Sequence, residues 1–255
     1  MNRVYLDYNA SAPLREEARE AMVHAMALAG NPSSVHAEGR QARAIVETAR
    51  RQVAAALGAQ GADVIFTSGA TEAAGLALTG RGIRCADIEH EAVSSWCQSD
   101  LSCGLDGGVA CQAPGATALQ LANSETGILQ QLPDGLALCD MTQAFGKLPV
   151  AFHWSGATMA LVSAHKIGGP KGVGALIVKR GTEVAAQIKG GGQEMGRRSG
   201  TENVIGIAGF GAAAEAAQRD LADGVWAQVE KLRNILEKAV AQSASETIFV
   251  GQGGR

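Results

Sequence analysis

A lysine at the end of an apolar segment is the first residue whose position indicates chemistry. Lys166 stands between the apolar run 159–162 and a glycine-rich turn, in the stretch SAHKIGGPKGVG (163–174). An ammonium group at a buried strand end loses hydration and must be compensated. A desolvated lysine with a lowered pKa is a nucleophile that forms a Schiff base with a carbonyl group. Ser163 and His165 add hydrogen-bonding groups beside it.

Two further segments place polar groups where predicted strands end. Asp140 closes the apolar run 136–139. A carboxylate there needs a cationic or N–H partner, although capping the next element would satisfy it equally. The segment TSGATE (67–72) lies between a predicted strand and a helix, where the free N–H groups of a helix N-terminus bind anions. An ordinary helix cap by Ser68 or Thr71 explains this segment as well.

Together, these groups form the set that a pyridoxal phosphate site requires. The lysine binds the aldehyde, the aspartate keeps the ring nitrogen protonated, and the helix start takes the phosphate. His90 follows another predicted strand and could stack on a flat ring, although a lone histidine is more often a satisfied polar residue. There is no GxxxxGK[ST] phosphate loop, and GGGQEMG (190–196) lacks the flanking strand and helix of a dinucleotide fingerprint.

The composition is that of a globular protein. Of 255 residues, 46% are hydrophobic and 18% are charged, which excludes the disordered class. The net charge of −3 and the scattered arginines give no basic stripe, so no nucleic-acid partner is expected. No apolar run reaches the length of a membrane span, so no membrane partner is expected. Because Asp7 interrupts the N-terminal segment early, no secretory signal is predicted and a cytoplasmic location is expected.

Predicted strands alternate with predicted helices, which indicates an α/β fold with a largely parallel sheet. Helices are expected at 38–59, where Ile45, Ala49, Val53 and Leu57 form an apolar stripe, from the TSGATE segment to about 79, at 204–221 and at 225–243. Strands are expected at 63–67, 83–87, 118–122, 136–140, 159–163, 173–179 and 247–250. The last helix and strand cannot bury their own apolar faces, so they are expected to begin a second domain that is incomplete.

The cysteines are expected to be reduced and structural. No CxxC pair occurs, and the odd count in a chain without a predicted signal argues against a disulfide framework. No nearby histidine spacing suggests zinc, so no metal site is expected. The five residues are Cys85, Cys97, Cys103, Cys111 and Cys139.

Seven motifs in a fixed order make the sequence resemble the cysteine desulfurase family, the class V branch of fold-type I pyridoxal phosphate enzymes. They run from Tyr5 to about Gly211: YLDYNASAP, GNPSSVHAEGRQAR, FTSGATEA, IEHEAV, NSETG, SAHKIGGPKGVGAL and GGGQEMGRRSGTEN. The resemblance implies a three-layer α/β large domain with a mainly parallel sheet, plus an incomplete small α+β domain. The implied boundaries are an N-terminal segment 1–15 associated with the small domain, a cofactor-binding domain 16–210 and the start of the small domain at 211–255.

The resemblance implies pyridoxal 5'-phosphate as the cofactor and a role for each matching residue. The catalytic residues would be Lys166, which holds the aldehyde and moves the substrate α-proton, His90, which stacks on the ring, and Asp140, which pairs with the ring nitrogen. The phosphate would be held by Ala70, Thr71, Ser163 and His165, and by Thr201 of the other subunit in a homodimer. The ring hydroxyl would face Gln143 and Asn123. The substrate would meet Asn9 and Asn123.

The implied activity converts L-cysteine to L-alanine and leaves the sulfur on a cysteine thiol, from which it passes to an acceptor such as an iron–sulfur scaffold. Two alternatives stay open within the resemblance. The first is a selenocysteine lyase or another class V aminotransferase. The second is a non-catalytic assembly protein that binds pyridoxal phosphate.

The sequence departs from the family pattern in two places. Between His90 and Asn123 it is shorter, and GLDGGVACQAPGAT (104–117) replaces the usual strand, helix and connection. The family's C-terminal cysteine loop and its carboxylate-binding arginine have no counterpart in the 255 residues. None of the cysteines lies in a matching motif, so no persulfide cysteine is assigned. We therefore expect the sequence to be an N-terminal portion of a cysteine desulfurase.

Overall fold

A five-stranded sheet forms the centre of the computed structural model, which describes residues 3–254. The strands in chain order are β1 (Asp63–Thr67), β2 (Arg84–Ala86), β3 (Gln98–Leu101), β4 (Ala118–Gln120), β5 (Leu138–Asp140), β6 (Met159–Ser163) and β7 (Gly174–Val178). The central sheet has the spatial order β1-β7-β6-β5-β4, while β2 and β3 form a separate parallel pair. A single bridge between Arg84 and Thr117 links this pair to the start of β4.

Strand direction brings four strand ends to one edge of the sheet. β4, β5 and β6 are mutually parallel, and β7 is antiparallel to both of its neighbours, β6 and β1. β1 therefore runs in the same direction as β6. The carboxyl ends of β1, β4, β5 and β6 meet at the same edge, which is where open α/β sheets bind ligands. The prediction of a mainly parallel sheet is confirmed.

Helices cover both faces of the sheet. The helices in chain order are α1 (Glu16–Met26), α2 (Ala37–Ala56), α3 (Ala70–Leu78), α4 (Glu91–Ser94), α5 (Val204–Ala222) and α6 (Val225–Ser243), of which α6 buries no residue. Strand residues alternate between the two layers, as the period of a β-strand requires. Val64 and Phe66 pack in the core with α2 and α5, whereas Ile65 packs in the core with α3. This arrangement is the expected three-layer architecture.

Most of the predicted elements are confirmed, with differences of a few residues at their ends. The buried stripe of α2 contains Val46, while Ile45 is only half-buried, so the stripe follows the 3.6-residue helical period and not a strict four-residue repeat. The helix α1 and the strand β3 were not predicted. β3 exposes three of its four residues, so it lacks the apolar signal of a buried strand.

The predicted strand at 247–250 is wrong. In the described structure this segment is irregular and turn-like, and Ile248 and Val250 are 85% and 57% exposed. A β-branched run needs a neighbouring strand for its hydrogen bonds. Among the described residues, only one backbone hydrogen bond joins the segment after α6 to a distant part of the chain. Leu129 N–H donates to Gly254 O at 2.8 Å.

The helix α5 runs without interruption through the expected domain boundary at 210/211, and residues on both sides of that boundary are buried. Phe210, Ala213 and Ala217 all belong to the core beneath α2. The division of the chain into domains stays a prediction. No helix within residues 3–254 has the length and apolarity needed to cross a bilayer.

The first residue of β7 must be glycine because another strand end approaches it closely. A Cβ at Gly174 would lie 2.7 Å from the Gly69 backbone and 2.7 Å from Val162 O, which no real Cβ tolerates. We expect Gly174→Ala to lower the free energy of unfolding by about 1–3 kcal/mol, because the turn after β1 has to shift. Chemical denaturation measures this. The control is Gly115→Ala, where the backbone is not left-handed and the nearest atom to the added Cβ is Gly135 O at 3.9 Å, an ordinary contact.

Candidate active site

The edge where the four strand ends meet contains a cleft of about 460 Å³. Cavities of this size hold small-molecule ligands in proteins. Eight of the predicted site residues line it: Ala70, Thr71, His90, Asp140, Gln143, Ser163, His165 and Lys166. The separate strand ends of the sequence thus come together in one place.

Lys166 lies in a short 3₁₀ turn that follows β6 directly. The turn ends at Gly168, whose φ of +80° is a left-handed conformation that suits glycine. The N-terminal segment holds the turn from outside, because Ala12 N–H donates to His165 O at 2.9 Å and Arg15 N–H donates to Gly168 O at 2.8 Å. The backbone of Lys166 is therefore fixed from both sides.

The amine of Lys166 has one hydrogen-bond partner among the described residues, the main-chain oxygen of Asn9, at 2.5 Å. Burial lowers the pKa of Lys166, while the negative charges of Asp140, Asp7 and Glu125 act in the opposite direction. A lowered pKa increases the fraction of neutral amine, which is the nucleophilic form.

Asp140 ends β5, next to the strand that leads to Lys166. Its Oδ1 accepts a hydrogen bond from Thr142 N–H at 2.8 Å, so it turns the chain locally and does not begin an α-helix. Burial raises the pKa of Asp140, opposed by the Thr142 hydrogen bonds and the positive charges of His90 and Lys166. A half-buried carboxylate of this kind is stabilised by a cationic partner placed in the cleft.

The start of α3 forms one end of the cleft. Its N-cap, Gly69, provides no side chain, and neither Ser68 nor Thr71 caps the helix, so the capping interpretation is wrong. Glu72 accepts from Ser68 N–H at 2.7 Å. Within residues 3–254, the N–H groups of Ala70 and Thr71 have no hydrogen-bond partner. Free N–H groups at a helix start are an anion-binding arrangement.

Two more cleft residues lie at the ends of their own elements. His165 Nδ1 lies 3.3 Å from Ser11 Oγ. Burial lowers the pKa of His165, and the positive charges of three nearby lysines lower it further: Lys166, Lys171 and Lys147. The imidazole is therefore neutral at neutral pH and offers one donor. His90 is the exposed N-cap of α4, and its Nδ1 accepts from Ala92 N–H at 3.1 Å.

Three predicted residues do not line the cleft. The Asn9 side chain lies outside it, although its carbonyl contacts Lys166. Asn123 is 7% exposed: its Nδ2 donates to Ile88 O at 3.1 Å, and its Oδ1 accepts from Thr126 N–H at 2.8 Å. Thr201 is exposed and lies away from the cleft. The roles assigned to all three stay predictions.

The sequence reasoning missed several polar residues of this region. Gln120 ends β4 and lines the cleft, and Lys147 contacts Gln143 from behind. Glu89 is 7% exposed, and its Oε1 accepts from Gln120 N–H at 2.8 Å. In the sequence, the one sign of these residues is that each lies at a strand end or beside a motif. Only the fold shows which of them are buried.

Glu89 gives the protein a distinct pH dependence of stability. Burial raises the pKa of Glu89 from 4.5 to about 8, and its Oε2 has no hydrogen-bond partner among the described residues. Between these pH values the folded chain keeps a proton that the unfolded chain has lost. The free energy of unfolding therefore falls as pH rises from 4.5 to about 8.

Glu89→Gln is expected to remove this slope, because glutamine keeps the acceptor for Gln120 N–H and cannot titrate. The gain relative to wild type should grow with pH and reach on the order of 3 kcal/mol at pH 8. Denaturant titrations at several pH values measure it, with Glu230→Gln on the exposed face of α6 as control. Parallel pH profiles of Glu89→Gln and wild type would contradict the assignment.

Comparison with known proteins agrees with this geometry. Residues 4–104 and 114–253 match the family described as aminotransferase class-V. A cysteine desulfurase of Frankia sp. (strain EuIK1) is 38% identical over an alignment that covers 95% of this chain and 70% of that protein. The chain belongs to the class-V aminotransferase family, in its cysteine desulfurase branch. The stretch that the family match omits, 105–113, lies in the segment where a departure from the family pattern was predicted.

Further relatives of the desulfurase branch agree. The cysteine desulfurase IscS of Dictyoglomus turgidum is 34% identical, over 97% of this chain and 72% of that protein. The chain thus spans about 70% of the length of these curated relatives. The structure of a NifS-like protein from Rickettsia africae matches with a TM-score of 0.91 at 30% identity, covering all of this chain and 79% of that one. A structure described as SspA in complex with cysteine matches with a TM-score of 0.76 at 29% identity, covering 84% of this chain and 72% of that one.

The family depends on pyridoxal phosphate, and the cleft of this chain fits that cofactor. An amine, a half-buried carboxylate that a cation would stabilise, and free N–H groups at a helix start line the same cavity. These groups match an aldehyde, a ring nitrogen and a phosphate. Within the described structure, no cysteine lines the cleft, and no cluster of side chains suited to a metal ion is found.

Proposed function

We propose that this chain binds pyridoxal phosphate in the cleft and acts on L-cysteine, releasing L-alanine and passing the sulfur to a thiol. One observation carries the proposal. Lys166 follows β6, Asp140 ends the adjacent parallel strand β5, and both line the same cavity, with the start of α3 at its end. The membership in the desulfurase branch supports the choice of substrate.

Each end of the cofactor would meet a matching group. The N–H groups of Ala70 and Thr71, with Ser163 and His165, would hold the phosphate. Asp140 would hold the proton on the ring nitrogen, and that cationic nitrogen would offset the burial of its carboxylate. Two further groups would fix the ring plane and its hydroxyl: His90 by stacking, and Gln143 with Asn123 near the oxygen.

Lys166 would perform the acid–base chemistry on the substrate. When bound, the cofactor supplies an electron-withdrawing ring that stabilises negative charge at the substrate Cα. Lys166 would hold the aldehyde before substrate arrives and would then take the proton from Cα. The lowered pKa of Lys166 favours both steps, because each needs the neutral amine. Asn9 would approach the substrate from the N-terminal segment, as its contact with Lys166 suggests.

The sulfur step needs a thiol that the cleft wall does not provide. In balanced form, L-cysteine and a thiol R–SH give L-alanine and the persulfide R–S–SH, so no external oxidant or reductant is required. Because no cysteine of the described residues lines the cleft, we propose that this thiol reaches the cleft from outside it. A sulfur-acceptor protein, such as an iron–sulfur scaffold, would take the sulfur afterwards.

The proposal includes a homodimer and a cytoplasmic location. The exposed Thr201 follows a loop that Arg198 and Glu72 tie to the start of α3 through a 2.8 Å contact. From there, Thr201 would reach the phosphate held by a second copy of the chain. All five cysteines are free thiols, which agrees with a reducing compartment.

Proton exchange tests the proposal without depending on the sulfur step. The chain with added pyridoxal phosphate should replace the α-hydrogen of L-alanine with deuterium in D₂O, as followed by NMR. With L-cysteine and a small dithiol as acceptor, it should also form alanine. Exchange without alanine formation from cysteine would favour a class V aminotransferase, and faster turnover of selenocysteine would favour a selenocysteine lyase. Cofactor binding with neither reaction would favour the non-catalytic assembly protein and overturn the enzymatic proposal.

A further inference from the structure

A second lysine lies behind the cleft wall and is not among the residues that the family motifs point to. Lys147 is half-buried, and its Nζ donates to Gln143 Oε1 at 2.6 Å and lies 3.5 Å from Asn9 Oδ1. Gln143 in turn donates from Nε2 to Asn9 O at 3.0 Å, the oxygen that also accepts from Lys166. The four side chains and backbone groups form one connected network.

The geometry points to Lys147 as a positioning residue that holds the side-chain amide of Gln143 with its N–H side toward the cleft. An ammonium group has donors only, so the atom of Gln143 that it contacts must be the amide oxygen. The amide nitrogen is then fixed on the side of Asn9 and the cleft. Without Lys147 the amide could rotate by 180° and present its oxygen instead.

The backbone around Lys147 is rigid enough for this task. The turn that carries it is closed by Phe145 N–H to Met141 O at 2.8 Å and by Lys147 N–H to Ala144 O at 3.0 Å. Trp226 of α6 donates from its indole to Gly146 O at 2.9 Å. Because the turn is held on both sides, the side chain of Lys147 starts from a fixed backbone and reaches back across the turn to Gln143.

The orientation of the amide matters for what the cleft binds, and this part of the inference rests on the proposed function. The ring hydroxyl of pyridoxal phosphate ionises to an acceptor oxygen, which an N–H group stabilises and a carbonyl oxygen repels. Burial and the charge of Lys166 lower the pKa of Lys147 to about 8, and His165 is the other titratable group that senses it. Titration of the Lys147 amine should therefore change the environment of the Gln143 amide that it contacts.

NMR of the chain without cofactor tests the inference directly. With ¹⁵N-glutamine labelling, the side-chain NH₂ signals of Gln143, assigned by their loss in Gln143→Asn, should shift with pH with a midpoint near 8. In Lys147→Met the signals should no longer shift with pH, and in Lys147→Arg they should keep the positions that wild type shows at low pH. The control is Lys179→Met, which removes an exposed lysine outside the cleft and should leave the titration as in wild type. A wild-type signal that does not titrate, or a Lys147→Met signal like that of wild type, would overturn the inference.

Cofactor affinity then tests its consequence. Lys147→Met should weaken pyridoxal phosphate binding about tenfold, the usual effect of a charge-assisted hydrogen bond, and Lys147→Arg should restore most of it. The bound cofactor's absorbance should change with pH at a different midpoint in Lys147→Met. If wild type binds no cofactor, the proposed function fails while the NMR result still decides the positioning role. Equal affinity and equal absorbance midpoints in Lys147→Met and wild type would overturn the link to the cofactor.

Discussion

Replacing Lys166 with alanine is expected to lower α-proton exchange and alanine formation by on the order of 10⁴-fold, because the group that we propose holds the aldehyde and moves the proton is lost. The phosphate and ring contacts come from other residues, so cofactor binding should be weakened but not abolished. Rates of α-hydrogen exchange in D₂O measure the effect. Small primary amines added to Lys166→Ala should restore part of the exchange, since they can take the place of the missing side chain.

Two nearby lysines provide the controls for this result. Lys171 lines the cleft, and Lys147 lies behind Gln143. Reduction of the cofactor-loaded chain with borohydride, followed by peptide mapping, should place the phosphopyridoxyl adduct on Lys166 alone. An adduct on Lys147 or Lys171 in the wild-type chain, or exchange in Lys166→Ala within tenfold of wild type, would show that the assignment of Lys166 is wrong.

Removal of the Glu194 carboxylate is expected to lower the free energy of unfolding by about 2–4 kcal/mol, because the half-buried guanidinium of Arg50 loses its two closest carboxylate contacts and keeps only the longer one to Glu47, at 3.3 Å. Glu194 contacts Arg50 twice, at 2.7 and 2.9 Å, and its side chain is 2% exposed. It also accepts from Phe66 N–H at 2.9 Å, and Arg50 lies over the Phe66 ring. Denaturant unfolding of Glu194→Ala measures the loss.

A double-mutant cycle with Arg50→Met separates the pair from its surroundings. Arg50→Met together with Glu194→Met should cost less than the sum of the two single changes, since neither charge is then left alone. Glu230→Ala, which breaks an exposed contact with Arg233 at 3.6 Å, should change stability by no more than about 0.5 kcal/mol. Additive losses at Arg50 and Glu194 would contradict a coupled buried pair.

The same carboxylate links the stability of the core to the loop that leads to Thr201. Glu194 and Met195 both have positive φ values, 47° and 59°, which are strained for residues other than glycine. The ion pair with Arg50 holds this loop against β1, and the loop leads to Thr201. Loss of Glu194 should therefore loosen the segment that carries Thr201 as well as destabilise the core.

Some elements of the fold could be predicted from the sequence because their signals are local. β1 and β6 have the predicted bounds, since short β-branched or apolar runs ended by polar residues are typical of buried strands. α1 could not be predicted in the same way, because only Ala18 and Ala25 are buried and alanine gives a weak periodic signal. The predicted strand at 247–250 failed for the opposite reason: its local pattern was favourable, but pairing needs a neighbouring strand.

The residues of the candidate site differ in the same way in whether the local sequence predicts them. Lys166, Asp140 and the start of α3 could be predicted because each directly follows or begins an element, and parallel strands bring such ends together. Lys147 and Glu89 could not, because their burial is decided by residues far away in the chain. The reach of Lys147 depends on Asn9 and on the turn held by Trp226, and no local pattern encodes those contacts.

The pairing of β1 with β7 has a consequence for how the chain acquires its cleft. Asp63 pairs with Val178, so β1, the strand before α3, is fixed in place only after β7 has docked. Pairing of such distant segments is a slow step of folding, because the closure of a long loop precedes its contacts. On the ribosome, the cleft can form only once β7 has emerged from the exit tunnel. Cofactor capture should therefore follow the emergence of β7, and it would report that β1, β7 and β6 have paired.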